Sequence, residues 1–267
     1  MILEERYTTI ENKLKKNNFV KVSEIMDSFE VSHETARKYL EVLQERGIAK
    51  RIRGGAMYAG SRSDGNATLQ KRNFEFHREN AVASYAAAKL VKPGDVVFLD
   101  GGMTMAQLAL YLRDIPNITV VTNNLIVINE LNQCPNIDIY SLSGRYDIES
   151  GAYYGSQTEK SFAFFNVDIA FISCAGLSLK QEYVNDYDDR CVSRQIVKQH
   201  SEKLVLVLNS SKINKKHFSN QFPIKDLDEI FIDSNIDADE EQILRAMGVE
   251  LHVIPIDTDI PKVEEMQ

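Results

Sequence analysis

The chain has 267 residues, 43% hydrophobic and 26% charged, with 13 Gly and 6 Pro, a composition of an ordinary soluble protein rather than a disordered or membrane one. That length exceeds the usual single-domain size, so one large domain and one small one are expected. The net charge of -8 is unevenly spread: residues 1–60 hold 11 Lys+Arg against 9 Asp+Glu, and the remainder holds 20 against 30, which confines any nucleic-acid contact to the N-terminal part.

The first segment, MILEERYTTIENKLKKNN, carries acidic residues early and lacks an apolar h-region, so it does not read as a signal peptide. No apolar run approaches the roughly 18 to 20 residues of a membrane span, and a cytoplasmic location is expected. Tyr7, Ile10 and Leu14 recur at helical spacing and predict a first amphipathic helix. Val22, Ile25, Met26 and Phe29 predict a second; Ala36, Leu40 and Leu43 predict a third, with Ser32 as its N-cap and Gly47 just past its end. This is a helix-turn-helix skeleton.

With the apolar stripe of the third helix turned inward, His33, Glu34, Arg37, Lys38 and Glu41 fall on its outer side. A recognition helix needs such a surface, with cations to reach phosphates or guanine edges and Ser32 and Thr35 to add phosphate contacts. The same face also fits the solvated exterior of an ordinary three-helix bundle. The adjoining stretch favours DNA. In GIAKRIRGGAMY two short alternating runs, Ile48 to Ile52 and Ala56 to Tyr58, join across Gly54-Gly55 as a two-strand turn. Lys50, Arg51 and Arg53 flank it, where cations can lie along a phosphate backbone or a minor groove. Residues 1–58 therefore read as a winged helix-turn-helix. Its expected DNA contacts are Ser32, His33, Glu34, Thr35, Arg37, Lys38, Arg51, Arg53, Gly54 and Gly55.

The stretch VSEIMDSFEVSHETARKYLEVLQERGIAKRIRGGA resembles the N-terminal domain of DeoR-type transcriptional regulators, with a VS-x-x-T-x-R recognition helix and a K-R-x-x-GGA wing. Lys38-Tyr39 stands where the family usually has Arg-Asp, and Arg53 stands where His usually precedes the glycine pair. Both departures keep or add positive charge and bear on which operator is read.

From Ala59 to Phe74 the chain is polar, turn-rich and aperiodic, so residues 59–75 read as a linker and 76–267 as an α/β effector-binding and oligomerisation domain. An Ala-rich helix, HRENAVASYAAAKL, opens that domain. Predicted strands then run over Val96 to Leu99, Ile118 to Val121, Ile137 to Leu142, Asp168 to Ser173, Leu204 to Leu208, Glu229 to Asp233 and Glu250 to Ile254. Predicted helices fall near Met105 to Leu112, Leu125 to Leu131, Val192 to His200 and Asp239 to Met247. Such alternation implies a Rossmann-like, mostly parallel sheet with helices on both faces. Cys134, Cys174 and Cys191 are far apart with no CxxC spacing and read as plain reduced thiols, and no metal or cofactor is expected.

In such folds ligands bind at the carboxyl ends of strands. Small polar residues gather there: Asp100 to Thr104, Thr122-Asn123-Asn124, Ser143-Gly144, Ala175-Gly176 and Asn209-Ser210-Ser211-Lys212. Glycines let a backbone approach phosphate, a helix N-terminus presents N–H groups, and Lys212 supplies a full positive charge. This half resembles the DeoR sensor domain, in the matching stretches DGGMT, VVTNN, LSG, DIAFISCAGLS and NSSK. The resemblance implies a fold shared with sugar-phosphate isomerases and CoA transferases and a phosphorylated sugar or related metabolite as ligand. The expected effector contacts are Asp100, Gly101, Gly102, Met103, Thr104, Thr122, Asn123, Gly144 and Lys212. Ser143 and Asn209 depart from the Gly and Asp usual in the family, and the second removes a carboxylate beside Lys212.

An isomerase-like enzyme carrying an accessory DNA-binding domain is the alternative. It needs a positioned carboxylate base, for which Asp100, Glu182, Asp186, Asp188 and Asp189 are available; the last four also fit solvated loop charge. His33, His77, His200, His217 and His252 follow no strand-end motif, so no nucleophilic triad is arguable. The sequence reads as a non-enzymatic transcriptional regulator, a repressor, that binds double-stranded operator DNA and a phosphorylated sugar or similar anion as a homodimer or larger assembly.

Overall fold

The computed structural model describes residues 3–17, 19–52, 55–58, 77–148, 150–186, 194–215, 217 and 219–261. The chain divides into two units, Met1–Gln70 and Lys71–Gln267, and residues 59–75, expected as a linker, lie outside the described residues. No helix among the described residues is long and apolar enough to cross a membrane.

The first unit runs α1 (Leu3–Asn17), β1 (Phe19–Lys21), α2 (Val22–Phe29), α3 (His33–Glu45), β2 (Ala49–Ile52) and β3 (Gly55–Tyr58). The apolar stripes predicted from spacing become one core: Tyr7, Ile10, Leu14, Ile25, Ala36, Leu40 and Leu43 are buried together. Glu30, in the left-handed conformation at φ 53°, ends α2 and lets Ser32 start α3. The wing has three strands in the order β1-β3-β2, where two were expected. β1 is only three residues long and gives no period in the sequence; the pairing of Val20 with Ala56 is what defines it.

In the second unit, α4 (His77–Ala88) precedes β4 (Val96–Leu99), α5 (Met103–Leu110), β5 (Ile118–Thr122), α6 (Leu125–Leu131) and β6 (Ile137–Ser141). A hairpin comes next, β7 (Arg145–Asp147) and β8 (Ala152–Tyr154), then α7 (Ser156–Phe162) and β9 (Val167–Ile172). Short strands β10 (Gly176–Ser178) and β11 (Tyr183–Asp186) lead to α8 (Arg194–Gln199), β12 (Ser201–Val207), β13 (Ser219–Pro223), β14 (Glu229–Asp233), α9 (Ala238–Ala246) and β15 (Glu250–Ile254). Seven strands form one parallel sheet in the order β15-β14-β12-β9-β4-β5-β6.

Both faces of this sheet are covered, which is why its strands read as continuous apolar runs. Val97, Leu99, Val120, Phe171 and Val207 pack under α4, α5 and α6 through Ala83, Ala87, Leu108 and Val127. On the other face Phe98, Ala170, Ile172, Leu206 and Ile232 meet Phe162 of α7, Val197 of α8 and Leu244 of α9. The rings of Phe98 and Phe162 lie 4.6 Å apart. The expected strict alternation of strand and helix is interrupted by the β7–β8 hairpin, by α7 and by the antiparallel sheet β10-β11-β13. These pieces of three to seven residues are too short for a period and are held by what they pack against.

At one margin of the sheet a charge cluster replaces apolar packing. Glu229, 4% exposed, accepts from Lys203 Nζ at 2.5 Å and lies 2.7 Å from His252 Nε2, whose ring stacks on Phe231 at 4.2 Å. The hydrogen bond to Glu229 holds the Lys203 ammonium above its ordinary pKa. A raised lysine stabilises fully below its unfolded value, about 10.4, and loses that contribution as pH climbs through the folded value. Glu229→Gln is expected to lower the unfolding free energy by about 1–3 kcal/mol at neutral pH. The gap to the parent should narrow in urea titrations carried out at strongly alkaline pH.

Candidate functional site

On α3 the Ser32 hydroxyl accepts the Thr35 N–H at 3.2 Å and lies 3.0 Å from the Thr35 hydroxyl, so both serve the helix start first. His33, Glu34, Arg37 and Lys38 are exposed and, with Glu41, line a shallow concavity along the outer face of α3. Lys38 Nζ lies 3.5 Å from Glu34, and Arg51 of β2 donates to Glu41 at 2.5 Å. Solvent-accessible pairs of this kind contribute little to stability. The Arg51 N–H also donates to Gln44 Oε1 at 3.1 Å, tying the wing to the helix. Gly55 is buried at the start of β3; Arg53 and Gly54 lie outside the described residues.

Tyr39, half of the Lys38-Tyr39 departure, is 6% exposed. Its ring makes edge contacts with Tyr7 and Phe29, and its hydroxyl accepts from Arg6 at 2.7 Å. It is a core residue, so of that pair only Lys38 sits on the outer face.

The second site arises from sheet order. From β4 the chain steps one way to β5 and β6, then returns to the other side of β4 for β9, β12, β14 and β15. The loops leaving β4 and β9 therefore diverge, and their carboxyl ends frame a crevice at the switch point. There Lys212, from the turn after β12, donates through Nζ to Ser173 Oγ at 3.0 Å, and Ser173 Oγ lies 3.5 Å from Thr104 Oγ1. Asp100 is 3% exposed and Thr104 4% exposed at the base of this group. Gly102, at φ 96°, caps α5 without a side chain, and Met103, half-buried, is the first helical residue.

Thr122 and Asn123, expected to line the crevice, are fully buried and turned to backbone. Thr122 Oγ1 donates to the Leu99 carbonyl at 2.6 Å and accepts the Asn124 N–H at 3.0 Å; Asn123 Nδ2 donates to the Tyr153 carbonyl at 2.9 Å. Asn123 Oδ1 is buried without a hydrogen-bond partner among the described residues. Gly144 opens the β7–β8 hairpin, where a Cβ would lie 2.1 Å from Thr158 Oγ1 and 2.8 Å from the Tyr154 carbonyl. The hairpin folds back on β5, with the Tyr153 N–H bonded to the Asn123 carbonyl at 2.7 Å and the Leu125 N–H to the Gly151 carbonyl at 2.9 Å.

That fold-back brings in residues that the sequence pattern does not reveal. Tyr154 is buried, and a Cβ on Gly101 would stand 2.2 Å from its hydroxyl. Burial, and then the charge of Asp100, push the Tyr154 phenol well above its ordinary value. Burial lowers the pKa of His217, against the opposing pull of Asp186, and Lys212 lowers it further. Asp186, read as loop charge or a base, thus acts on both Tyr154 and His217 from β11. No strand-end motif announces His217, because the chain reaches it through the β10-β11-β13 sheet: its N–H donates to Asn185 Oδ1 at 3.1 Å. Asn124 had a legible signal, an Asn directly before an apolar helical run.

A family model for the DeoR C-terminal sensor domain matches residues 76–234, and one for the DeoR-like helix-turn-helix domain matches residues 6–62. The chain is 27% identical over 253 residues to the HTH-type transcriptional repressor GlcR of Bacillus subtilis, covering 95% of this chain and 97% of that protein. It is 27% identical over 233 residues to a lactose phosphotransferase system repressor of Staphylococcus epidermidis, covering 86% and 92%. Among solved structures, ribose 5-phosphate isomerase A of Methanocaldococcus jannaschii aligns with a TM-score of 0.37 at 18% identity over 53% of this chain and 55% of that one.

The Gly101 contact yields a direct check. Gly101→Ala drives a methyl into the Tyr154 hydroxyl and is expected to destabilise the sensor unit by about 1–3 kcal/mol. Adding Tyr154→Phe should recover part of that loss in a double-mutant cycle followed by urea unfolding, since the closest clash is then removed.

Proposed function

The chain belongs to the DeoR family, and from that premise we propose that it is a DNA-binding repressor of carbohydrate-metabolism genes whose sensor domain takes a phosphorylated sugar or related anion. The observation that carries the ligand class is the meeting of Lys212, Ser173 and Thr104 beside the N-terminus of α5 at the sheet's switch point. A cation, two hydroxyls and a glycine-capped helix start match a phosphate; Asp100 beside them suits sugar hydroxyls, to which a carboxylate can only accept. The names of the relatives above, a lactose phosphotransferase system repressor among them, support the carbohydrate setting.

The DNA side rests on α3 and the wing. Arg37 and Lys38 are exposed beside the concavity, and Arg51 exchanges Glu41 for a phosphate on binding. One winged module reads one half-site, so two or more copies reading a repeated or palindromic operator are required, with the sensor domain carrying the association. Control comes through linkage: the effector binds the operator-free conformation better and weakens operator affinity by that difference.

Mobility shifts with the DNA upstream of its own gene cluster test the first half. Binding should fall steeply with salt; Arg37→Ala should cost about 1–3 kcal/mol, and Lys38→Ala should reduce the salt slope by about one. A protein showing no salt-sensitive DNA binding overturns the repressor reading. For the second half, thermal-shift screening with sugar phosphates should show stabilisation that Lys212→Ala abolishes while DNA binding survives. Assaying each hit for conversion separates sensing from isomerisation, since turnover lost on replacing Asp100 would favour the enzyme.

A further inference from the structure

The side chain of Asn124 works in two loops at once. Its Oδ1 caps α6, accepting the N–H groups of Ile126 at 3.0 Å and Val127 at 3.4 Å. Its Nδ2 reaches across to the loop after β4 and donates to the Asp100 carbonyl at 3.2 Å and the Gly102 carbonyl at 2.8 Å. An amide side chain offers one acceptor oxygen and two N–H donors, and all are engaged here. The residue is fully buried, and its own N–H is held by Thr122 Oγ1 at 3.0 Å, so this geometry has little room to relax.

The consequence lies in the peptide planes. The chain has no cis peptide bonds among the described residues, and in a trans peptide the carbonyl and the following N–H point in opposite directions. Fixing the carbonyls of Asp100 and Gly102 toward Asn124 therefore turns the N–H groups of Gly101 and Met103 away from it. Those are the donors that a phosphate at the start of α5 would use. The glycine pair between them is the segment most free to flip, and Gly102 already sits at φ 96°.

We propose that Asn124 is a positioning residue that locks the glycine loop with its N–H donors outward, so the phosphate of the effector meets a preformed site. This rests on the reading of the crevice as an anion site. Asn124→Ser separates the two jobs, because Ser caps a helix but cannot donate to the Asp100 and Gly102 carbonyls as the amide does. Asn124→Asp also caps but adds a charge that itself repels an anion, so the result for Asn124→Ser decides.

The test is calorimetric titration of the full chain with ribose 5-phosphate and with inorganic phosphate. It is accompanied by unfolding midpoints and by hydrogen exchange at the Gly101 and Met103 amides. The expected result is wild-type binding and, at a temperature where both variants are fully folded, an affinity loss of about tenfold or more in Asn124→Ser, matching roughly one lost hydrogen bond, with unfolding midpoints lowered by the two carbonyls left unpaired. Phosphate should slow exchange at the two amides in wild type but not in the variants. Wild-type affinity retained in Asn124→Ser overturns this inference alone. So does an affinity loss confined to temperatures at which the variant is partly unfolded, since Asn124 would then be a cap and nothing more. A wild-type protein that binds neither probe overturns the anion-site reading and this inference with it.

Discussion

The reversal of strand order beside β4 is the constraint on which the sensor unit depends. Because β4 pairs with β5 on one side and β9 on the other, the connections leaving β4 and β9 must pass to opposite parts of the sheet, and a gap opens between them. Helices cover both faces of the sheet around that gap. Phe98 and Phe171, one turned to each face, are both fully buried in the two cores that pin β4 and β9 together. Whatever binds in the crevice therefore meets a rim that the whole domain stabilises.

Onto that rim the fold adds short-range locks. Thr122 ties β5 to the end of β4, Asn124 ties the start of α6 to the glycine loop, and the β7–β8 hairpin brings Tyr154 against Gly101. Each uses polar groups that would be costly to bury unpaired, and each sets them against a neighbouring segment. The result is a loop whose orientation is settled before any ligand arrives, which reduces the ordering cost of binding.

The first unit applies a related economy. Its apolar stripes are consumed by one small core, which leaves the cations of α3 and β2 on the outside by default. Glu34 and Glu41 temper those cations in the free protein through pairs exposed enough to exchange. The remainder of the chain is acidic on average, with 30 Asp+Glu against 20 Lys+Arg outside residues 1–60, which opposes a polyanion such as nucleic acid there. Charge distribution, rather than any single residue, sets the first sixty residues apart from the acidic remainder.

Helical spacing in the first sixty residues and apolar runs in the rest made the helix-turn-helix, the wing hairpin and the seven parallel strands legible, because those signals come from residues close in sequence. DGGMT and the lysine of NSSK were legible as strand-end chemistry for the same reason. The three-residue strand β1, the hairpin over β5 and the β10-β11-β13 sheet were not, since they exist only through partners far along the chain. The same holds for the partners that individual residues find: Tyr39 turned inward against Tyr7 and Phe29, Thr122 bonded to the Leu99 carbonyl, and the Asn123 amide nitrogen bonded to the Tyr153 carbonyl. Sequence by itself determined the helices of the first unit, the seven strands of the main sheet and the chemistry their ends carry. Tertiary structure alone decided which ends meet and which way each side chain faces, because strand order and long-range pairing leave no local period to read.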